Sequence, residues 1–266
     1  MSKSDPIQTH ELRDAFRLIG DCRDLGTNPD LWPGRMFEGL LKLIGCSSGC
    51  GGEGFWQPPD GRLQPVTSFD AGFDRTTRSY FSAYMRDRRF AADPLLKPLM
   101  QLTERGGTWT RRDALSDVEW YRSEIYNEYR KPSKIDDQLT SVCRVGNKYA
   151  ISAITLHRCP GERPFSLRER NLLNLFHEEL GRLIGGALVS GLEPGPEGLS
   201  RRLRQTLTCL IEGDSEKQAA ARLGVSYATA HQYVTALYRF FNVRSRGELM
   251  SVVLKRLGPG RWKEVV

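Results

Sequence analysis

The chain has 266 residues, and its 39 Lys or Arg against 32 Asp or Glu give a net charge of +7. That length allows two domains, each with its own hydrophobic core. The sequence lacks an apolar run of the roughly 18 to 20 residues that cross a membrane. Its polar N-terminus lacks a signal-peptide core, so we expect a cytoplasmic protein without a membrane partner.

Residues 1–190 alternate between helical and strand patterns, which predicts an α+β sandwich. Apolar residues recur at helical spacing over residues 7–20, 31–44 and 74–88. Strands are predicted at Gly54–Gln57, Leu63–Ser68, Gln138–Val145 and Tyr149–His157. Gly146-Asn147 is the predicted turn of a hairpin between the last two strands. A long helix follows, with Ser166 as its N-cap and Glu169 completing a capping box.

Residues 191–198 are rich in Pro and Gly and are predicted to be a linker. Residues 199–258 are predicted to be an all-α domain of four short helices, followed by a tail at 259–266. Three serines occupy N-cap positions, and Gly224 lies at a left-handed turn between the second and third helices. This order is the helix-turn-helix plan, which places one helix in the major groove of DNA.

The basic excess is concentrated in this C-terminal segment. Residues 199–258 contain ten Lys or Arg and four Asp or Glu, whereas residues 1–198 contain 27 of each sign. Neutralising DNA phosphates requires such a local positive charge. A solvated helical face would also be charged, so the helix-turn-helix pattern is what favours DNA as the partner.

The C-terminal pattern resembles the LuxR/GerE (FixJ/NarL) helix-turn-helix family. The matching residues recur at that family's offsets: Leu199, Ser200, Arg202, Gly213, Ser215, Lys217, Ala220, Leu223, Val225, Ser226, Thr229, Val234, Val243, Ser245, Arg246, Glu248 and Leu249. Leu203 replaces the family's Glu, so the first helix should lack a capping box. Ala230, His231 and Tyr233 replace Val, Lys and His on the third helix. These departures predict an operator sequence different from the usual one.

Helix geometry and the resemblance together give roles to the site residues. His231, Gln232 and Thr235 share one face of the third helix and are predicted to read base edges. Five further residues are predicted to contact phosphates: Lys217, Ser226, Thr229, Arg239 and Arg246. The alternative for His231, Arg239 and Arg246 is a solvated or structural role. In the family the fourth helix often forms a dimer contact, so the resemblance implies a homodimer on double-stranded DNA.

Residues 150–180 resemble the closing strand and final helix of GAF- or PAS-like sensory domains. A second, partial resemblance is to autoinducer-binding domains, because Tyr80, Tyr84, Asp93-Pro94 and Trp109 stand at nearly that family's spacing. In that family the Asp accepts an amide proton of the ligand and the aromatic residues line the pocket. The resemblance therefore implies a small-molecule site. Ordinary core and turn roles are the alternative for these residues.

The six cysteines give no metal-ligand pattern. Only Cys46 and Cys50 lie close together, without a histidine cluster beside them. We therefore expect reduced thiols, and no metal or cofactor. His157, His177 and Cys159 lack the nucleophile-to-base spacing of an enzyme, so no catalytic residues are expected.

The sequence predicts a sequence-specific transcriptional regulator controlled by a small molecule that binds its N-terminal domain. RNA polymerase is a further candidate partner. One alternative is a sigma-factor-like polymerase subunit, which would need an all-helical N-terminal half. The other is a regulator whose N-terminal domain only dimerises.

Overall fold

The structure is a computed structural model that describes residues 6–26, 28, 31–57, 62–86, 93–102, 106–146, 149–192 and 199–261, with the backbone alone for 57, 62, 63 and 254–261. The chain divides into two compact units, residues 1–26 with 30–188 and residues 27–29 with 189–266. Most of the predicted linker (193–198) and Asn147 of the predicted turn lie outside the described residues. None of the helices in the described ranges has the length and hydrophobicity needed to cross a bilayer.

The N-terminal unit is built on an antiparallel sheet with the strand order β2-β1-β6-β5-β4, and β3 pairs with β1. The strands are β1 (Ser48–Gln57), β2 (Arg62–Pro65), β3 (Phe69–Ala71), β4 (Gly107–Thr110), β5 (Asp137–Arg144) and β6 (Ala150–Arg158). β5 and β6 form the predicted hairpin, with Gln138 opposite His157. β1 begins six residues before the predicted strand, because its glycine-rich first half carries no hydrophobic alternation.

Helices precede, interrupt and follow the sheet, which confirms the predicted α+β class. They are α1 (Thr9–Asp24), α2 (Leu31–Ile44), α3 (Arg75–Arg86), α4 (Leu96–Leu102), α5 (Arg111–Ala114), α6 (Asp117–Arg122), the π-helix Tyr126–Arg130 and α7 (Leu167–Gly181). Ser166 caps α7, and the Glu169 carboxylate accepts hydrogen bonds from Ser166, as in the predicted capping box. The aromatic segment 117–132 divides into two short helices because Ser116 and Ser123 bound the first of them.

The two faces of the sheet differ in what they carry. Face A is the face that bears Ser48, Cys50, Gln138, Thr140, Thr155 and His157, as the strand register requires. Face B bears the alternate residues, including Ser141, Ser152 and Leu156. Face B packs against α2, because Phe37 of that helix lies against Gly49 and Gly51. It also packs against α7, which bonds to Ser141 and Ser152 of this face.

A buried histidine holds α7 to face B. His177 lies between two strands, with its Nδ1 2.9 Å from Ser141 Oγ and its Nε2 3.1 Å from Ser152 Oγ. Thr108 extends the network by donating to Ser141 Oγ at 2.7 Å. Because burial removes water from the imidazolium form, the pKa of His177 falls from 6.5 to about 3. The ring therefore stays neutral in the folded protein.

This burial makes the stability of the N-terminal unit dependent on pH. The folded pKa of His177 lies below its unfolded value, so its contribution is complete above pH 6.5 and is lost as the pH falls towards 3. We expect His177→Gln, which can still bond to the serines, to reduce the pH dependence of the unfolding free energy by about 1.4 kcal/mol per pH unit in this range. Urea unfolding at pH 7, 6 and 5 measures it, and equal slopes in variant and wild type would contradict the assignment.

The C-terminal unit is all α, as predicted, with α8 (Arg201–Ile211), α9 (Glu216–Leu223), α10 (Tyr227–Phe240) and α11 (Arg246–Arg261). Its core contains apolar residues from α8, α10, α11 and the flanking turns: Leu199, Leu207, Leu210, Val234, Leu237, Phe241, Leu249 and Val253. Leu249 and Val253 show that α11 packs apolar side chains inside the unit. The core thus packs α10 against α8 and α11.

Candidate nucleic-acid interface and ligand site

The turn between α9 and α10 sets the angle between the two helices. Gly224 adopts φ 65° and ψ 36°, the left-handed conformation that a side chain disfavours. The Val225 amide donates to the Ala220 carbonyl at 3.0 Å and closes the end of α9. Ala219 and Ala220 are buried, so small side chains occupy the helix crossing, while Ala221 is exposed and takes no part in it.

Serine caps begin α9 and α10 as the sequence predicts. Ser215 and Gln218 form a reciprocal capping box at α9. Ser226 Oγ accepts from the Thr229 amide at 3.1 Å and pairs with Thr229 Oγ1 at 2.9 Å. Ser226 and Thr229, which were predicted to contact phosphates, therefore also hold the first turn of α10.

At the start of α11, Ser245 and Glu248 have the sequence spacing of a capping box, but the structure differs from that motif in one bond. Ser245 Oγ accepts from the Glu248 amide at 3.2 Å, as expected. The Glu248 carboxylate accepts from the amide of Arg244 instead of that of Ser245, at 2.7 Å. Arg246, a predicted phosphate contact, donates to the Leu210 carbonyl at 2.7 Å, so its guanidinium also ties α11 to the end of α8.

The remaining candidate residues lie on the outer surface of the helix-turn-helix. Lys217, His231, Gln232 and Arg239 are exposed, and Thr235 is half-buried. On the opposite side of α10, Ala230, Val234 and Leu237 are buried in the core. The helix therefore presents one polar face to solvent. Such a face, with amide, imidazole and hydroxyl groups, can form hydrogen bonds to base edges.

Two residues that sequence reasoning did not select, Glu216 and Tyr227, modify this face. The Glu216 carboxylate lies 3.0 Å from Nδ1 of His231, which orients the imidazole. Tyr227 is 60% exposed and its ring stacks on His231 with centroids 6.4 Å apart. Tyr227 and His231 are four residues apart on α10, so their contact was the signal that helical periodicity could have given.

In the N-terminal unit, Tyr84 and Asp93 belong to one buried network. Tyr84 donates its hydroxyl to Asp93 Oδ2 at 2.8 Å, and the Leu95 amide donates to Oδ1 at 2.9 Å. Arg130 pairs with the same carboxylate at 3.0 Å and stacks on the Tyr84 ring, 4.1 Å from its centroid. Burial raises the pKa of the Tyr84 hydroxyl above its ordinary value, so it remains a donor. Sequence reasoning did not identify Arg130 as the partner of Asp93.

The other two candidate ligand residues lie elsewhere. Tyr80 is 43% exposed and stands outside the buried cluster that contains Tyr84. Trp109 packs with a neighbouring cluster that includes Leu95 and Trp120, and Arg170 covers its ring at 4.5 Å. The structure thus joins Tyr84 to Asp93 and separates them from Tyr80.

Burial holds most cysteines in the thiol form. It raises the pKa of Cys22, Cys46, Cys50 and Cys143 to about 12. Within the ranges that the structure describes, His, Cys, Asp and Glu do not gather in a group that could hold a metal ion.

The capped helices, the left-handed turn and the exposed polar face of α10 define a helix-turn-helix unit. Residues 197–253 match the family described as "GerE: Bacterial regulatory proteins, luxR family". The C-terminal unit is therefore a luxR-family helix-turn-helix domain, and the family predicted from the sequence is confirmed for this part of the chain.

Other comparisons are weaker. No curated protein sequence matches the chain. SdiA of Escherichia coli is 15% identical, with 82% of this chain and 86% of that chain covered and a TM-score of 0.40. The VqsR LBD domain of Pseudomonas aeruginosa is 12% identical, with 64% of this chain and 97% of that chain covered and a TM-score of 0.45. A GAF domain of Synechocystis is 15% identical, with 54% of this chain and 85% of that chain covered and a TM-score of 0.38. TM-scores this low do not establish a shared fold. The GAF-like and autoinducer-binding interpretations of the N-terminal unit therefore stay predictions.

A single glycine substitution tests the turn. A Cβ at Gly224 would meet no atom within 4 Å, so only backbone strain opposes it. We expect Gly224→Ala to destabilise α9 and α10 by about 1–2 kcal/mol. Hydrogen exchange of the amides of these helices in the full chain measures the loss. Gly247→Ala, in the same unit at ordinary helical geometry, is the matched control and should be neutral or stabilising; equal effects of the two variants would refute the account.

Proposed function

We propose that the chain is a sequence-specific transcriptional regulator that binds double-stranded DNA through α10 and acts in the cytoplasm. The observation that carries the proposal is the exposed polar face of α10 inside a luxR-family domain. Gln232 extends from this face, and its amide has no partner within the described residues. A glutamine amide can form two hydrogen bonds to an adenine, so Gln232 is our principal base-reading residue.

His231 and Thr235 act beside Gln232 in this proposal. Because Glu216 holds Nδ1 of His231, only Nε2 remains to face a base edge. Tyr227 adds an apolar surface beside His231 that suits the methyl group of thymine. Lys217 and Arg239 supply positive charge to phosphates on either side of α10. Ser226 and Thr229, which hold the first turn of α10, and Arg246, which ties α11 to α8, are the further phosphate contacts in this proposal.

The N-terminal unit is proposed to control this activity by binding a small molecule, and the protein to work as a homodimer without catalytic activity. RNA polymerase is a further proposed partner. The sigma-factor alternative requires an all-helical N-terminal half, and the antiparallel sheet argues against it. A domain that only dimerises is favoured by one observation, namely that Tyr84, Arg130 and Leu95 already satisfy the Asp93 carboxylate.

Substitution of Gln232 tests the base-reading assignment. We expect Gln232→Ala to lose about 1–3 kcal/mol of discrimination at one base of each half-site, while its binding to unrelated DNA is unchanged. Selection of binding sites from random duplexes, followed by titration of the selected site, measures this. Gln101→Ala, an exposed glutamine of α4, is the control. If the Gln232 variant selects the same sites with the same affinity, α10 does not read bases as proposed.

Salt dependence tests the phosphate contacts separately. We expect Lys217→Ala to weaken binding to every duplex about equally and to reduce the slope of log K against log salt by about one. The exposed Lys42 of α2 gives the matched control Lys42→Ala, which should leave the slope unchanged. A Lys217 variant with the wild-type slope would remove Lys217 from the interface.

A further inference from the structure

Face A of the N-terminal sheet buries polar atoms that find no partner in the part of the chain that the structure describes. Nε2 of His157, Oε1 of Gln138 and Nε of Arg130 are inaccessible to solvent and without a hydrogen bond in the described structure. The three residues are 0%, 5% and 7% exposed. An unsatisfied buried polar atom costs about 1–3 kcal/mol, so native proteins keep few of them without a reason.

Two of these atoms project from neighbouring positions on the same face. Gln138 and His157 stand directly opposite each other on β5 and β6, and such pairs have Cβ atoms about 5 Å apart. Ser48 fixes the imidazole, because its Oγ lies 3.2 Å from Nδ1 of His157. The His157 Nε2 and the Gln138 Oε1 are therefore placed to bond to one small polar group together.

An aromatic cluster covers this pair. The rings of Phe73 and Phe81 lie 5.8 Å and 6.3 Å from the His157 ring. Both belong to the buried cluster that contains Tyr84, Ile125 and Ile135. A molecule whose polar group bonds to Gln138 and His157 would place an apolar body against these side chains.

The charge around the pair excludes an ionic ligand group. Arg130 and Asp93 cancel each other through their 3.0 Å ion pair. Burial, with the nearby positive charge of Arg130, lowers the pKa of His157 from 6.5 to about 3, so this ring is neutral. A carboxylate or ammonium entering here would lose its hydration without gaining a free counter-charge. An uncharged group avoids this cost.

The Asp93 carboxylate is not available in the way that the resemblance to autoinducer-binding domains implies. Its Oδ2 accepts from Tyr84 and Arg130, and its Oδ1 accepts from the Leu95 amide. Arg130 thus occupies the carboxylate that a ligand amide would otherwise use. Two unsatisfied atoms, Oε1 of Gln138 and Nε2 of His157, lie on the sheet instead.

We propose that face A binds an uncharged small molecule whose amide-like group, such as a primary carboxamide or a lactam, bonds to Gln138 and His157. Its N–H donates to Gln138 Oε1. Its carbonyl accepts from His157 Nε2–H, in the tautomer that results when the Ser48 hydroxyl donates to Nδ1. The proposal rests on the ligand-controlled function above and moves the recognition of the ligand from Asp93 to Gln138 and His157.

Matched probes test the chemistry. Octanamide, octanoate and octylammonium share one apolar chain and differ in the charge of the head group. Titration calorimetry with the full chain should show octanamide binding about tenfold or more tightly than either ion. Gln138→Met and His157→Phe should each weaken octanamide binding about tenfold, the worth of one hydrogen bond. Equal binding of octanoate, or Gln138→Met binding octanamide like the wild type, would overturn the proposal.

Thermal unfolding without probe separates a binding role from a structural one. If Gln138 is kept for a ligand, Gln138→Met removes an unsatisfied acceptor and should raise the Tm by a few degrees, about 2–4 °C. A structural or merely hydrated Gln138 predicts a lower Tm in this variant, and that result, or binding of no probe at all, refutes the site. Gln101→Met, on the exposed surface of α4, is the control and should change neither quantity.

Mobility shifts with the same preparations keep the two proposals distinguishable. If the wild type binds its selected duplex but no probe, only the amide site is wrong. If it fails to bind any duplex, the regulator assignment fails as well, whatever the probes show.

Discussion

The left-handed turn at Gly224 is the constraint on which the DNA-binding unit depends. It allows only three residues between the end of α9 and the start of α10, and the buried Ala219 and Ala220 let the helices approach closely. The core then fixes the rotation of α10 about its axis through Val234 and Leu237. Once this rotation is fixed, the polar residues of α10 must share the outer face. The base-reading face is therefore a consequence of the packing.

Buried polar groups serve two different purposes on the two faces of the N-terminal sheet. On face B, Ser141 and Ser152 satisfy both nitrogens of His177, and the network holds α7 in place. On face A, His157 has one nitrogen satisfied by Ser48 and one without a partner among the described residues. Both rings are neutral for the same reason, which is burial. His177, with hydrogen-bond partners at both ring nitrogens, has a structural role. His157, with a partner at Nδ1 alone among the described residues, is the histidine that we propose binds a ligand.

Local signals made the C-terminal unit predictable from its sequence. The serine caps and Gly224 act on residues only a few positions away, so α8, α9 and α10 each begin directly after a serine, namely Ser200, Ser215 and Ser226. The N-terminal unit was harder to predict from the sequence, because the first half of β1 is glycine-rich and pairs with β6, about a hundred residues later in the chain. Contacts of this range leave no periodic pattern.

Contacts between residues far apart in the sequence also limit what could be predicted of the DNA-binding face and of the candidate ligand site. The exposed positions on α10 follow from helical periodicity, but the contact of Glu216 with His231 joins two helices and is not visible in the spacing. Likewise, the sequence relates Tyr84 to Asp93, whereas Arg130 stands 37 residues from its carboxylate partner.

The central claim remains that α10 lies in the major groove. Base analogues in the selected duplex test it most directly: 7-deazaadenine, which removes a major-groove acceptor, should weaken binding about tenfold with no further loss in Gln232→Ala. Inosine for guanosine, which removes the minor-groove amino group, should have no effect. A loss caused by inosine alone would contradict the account.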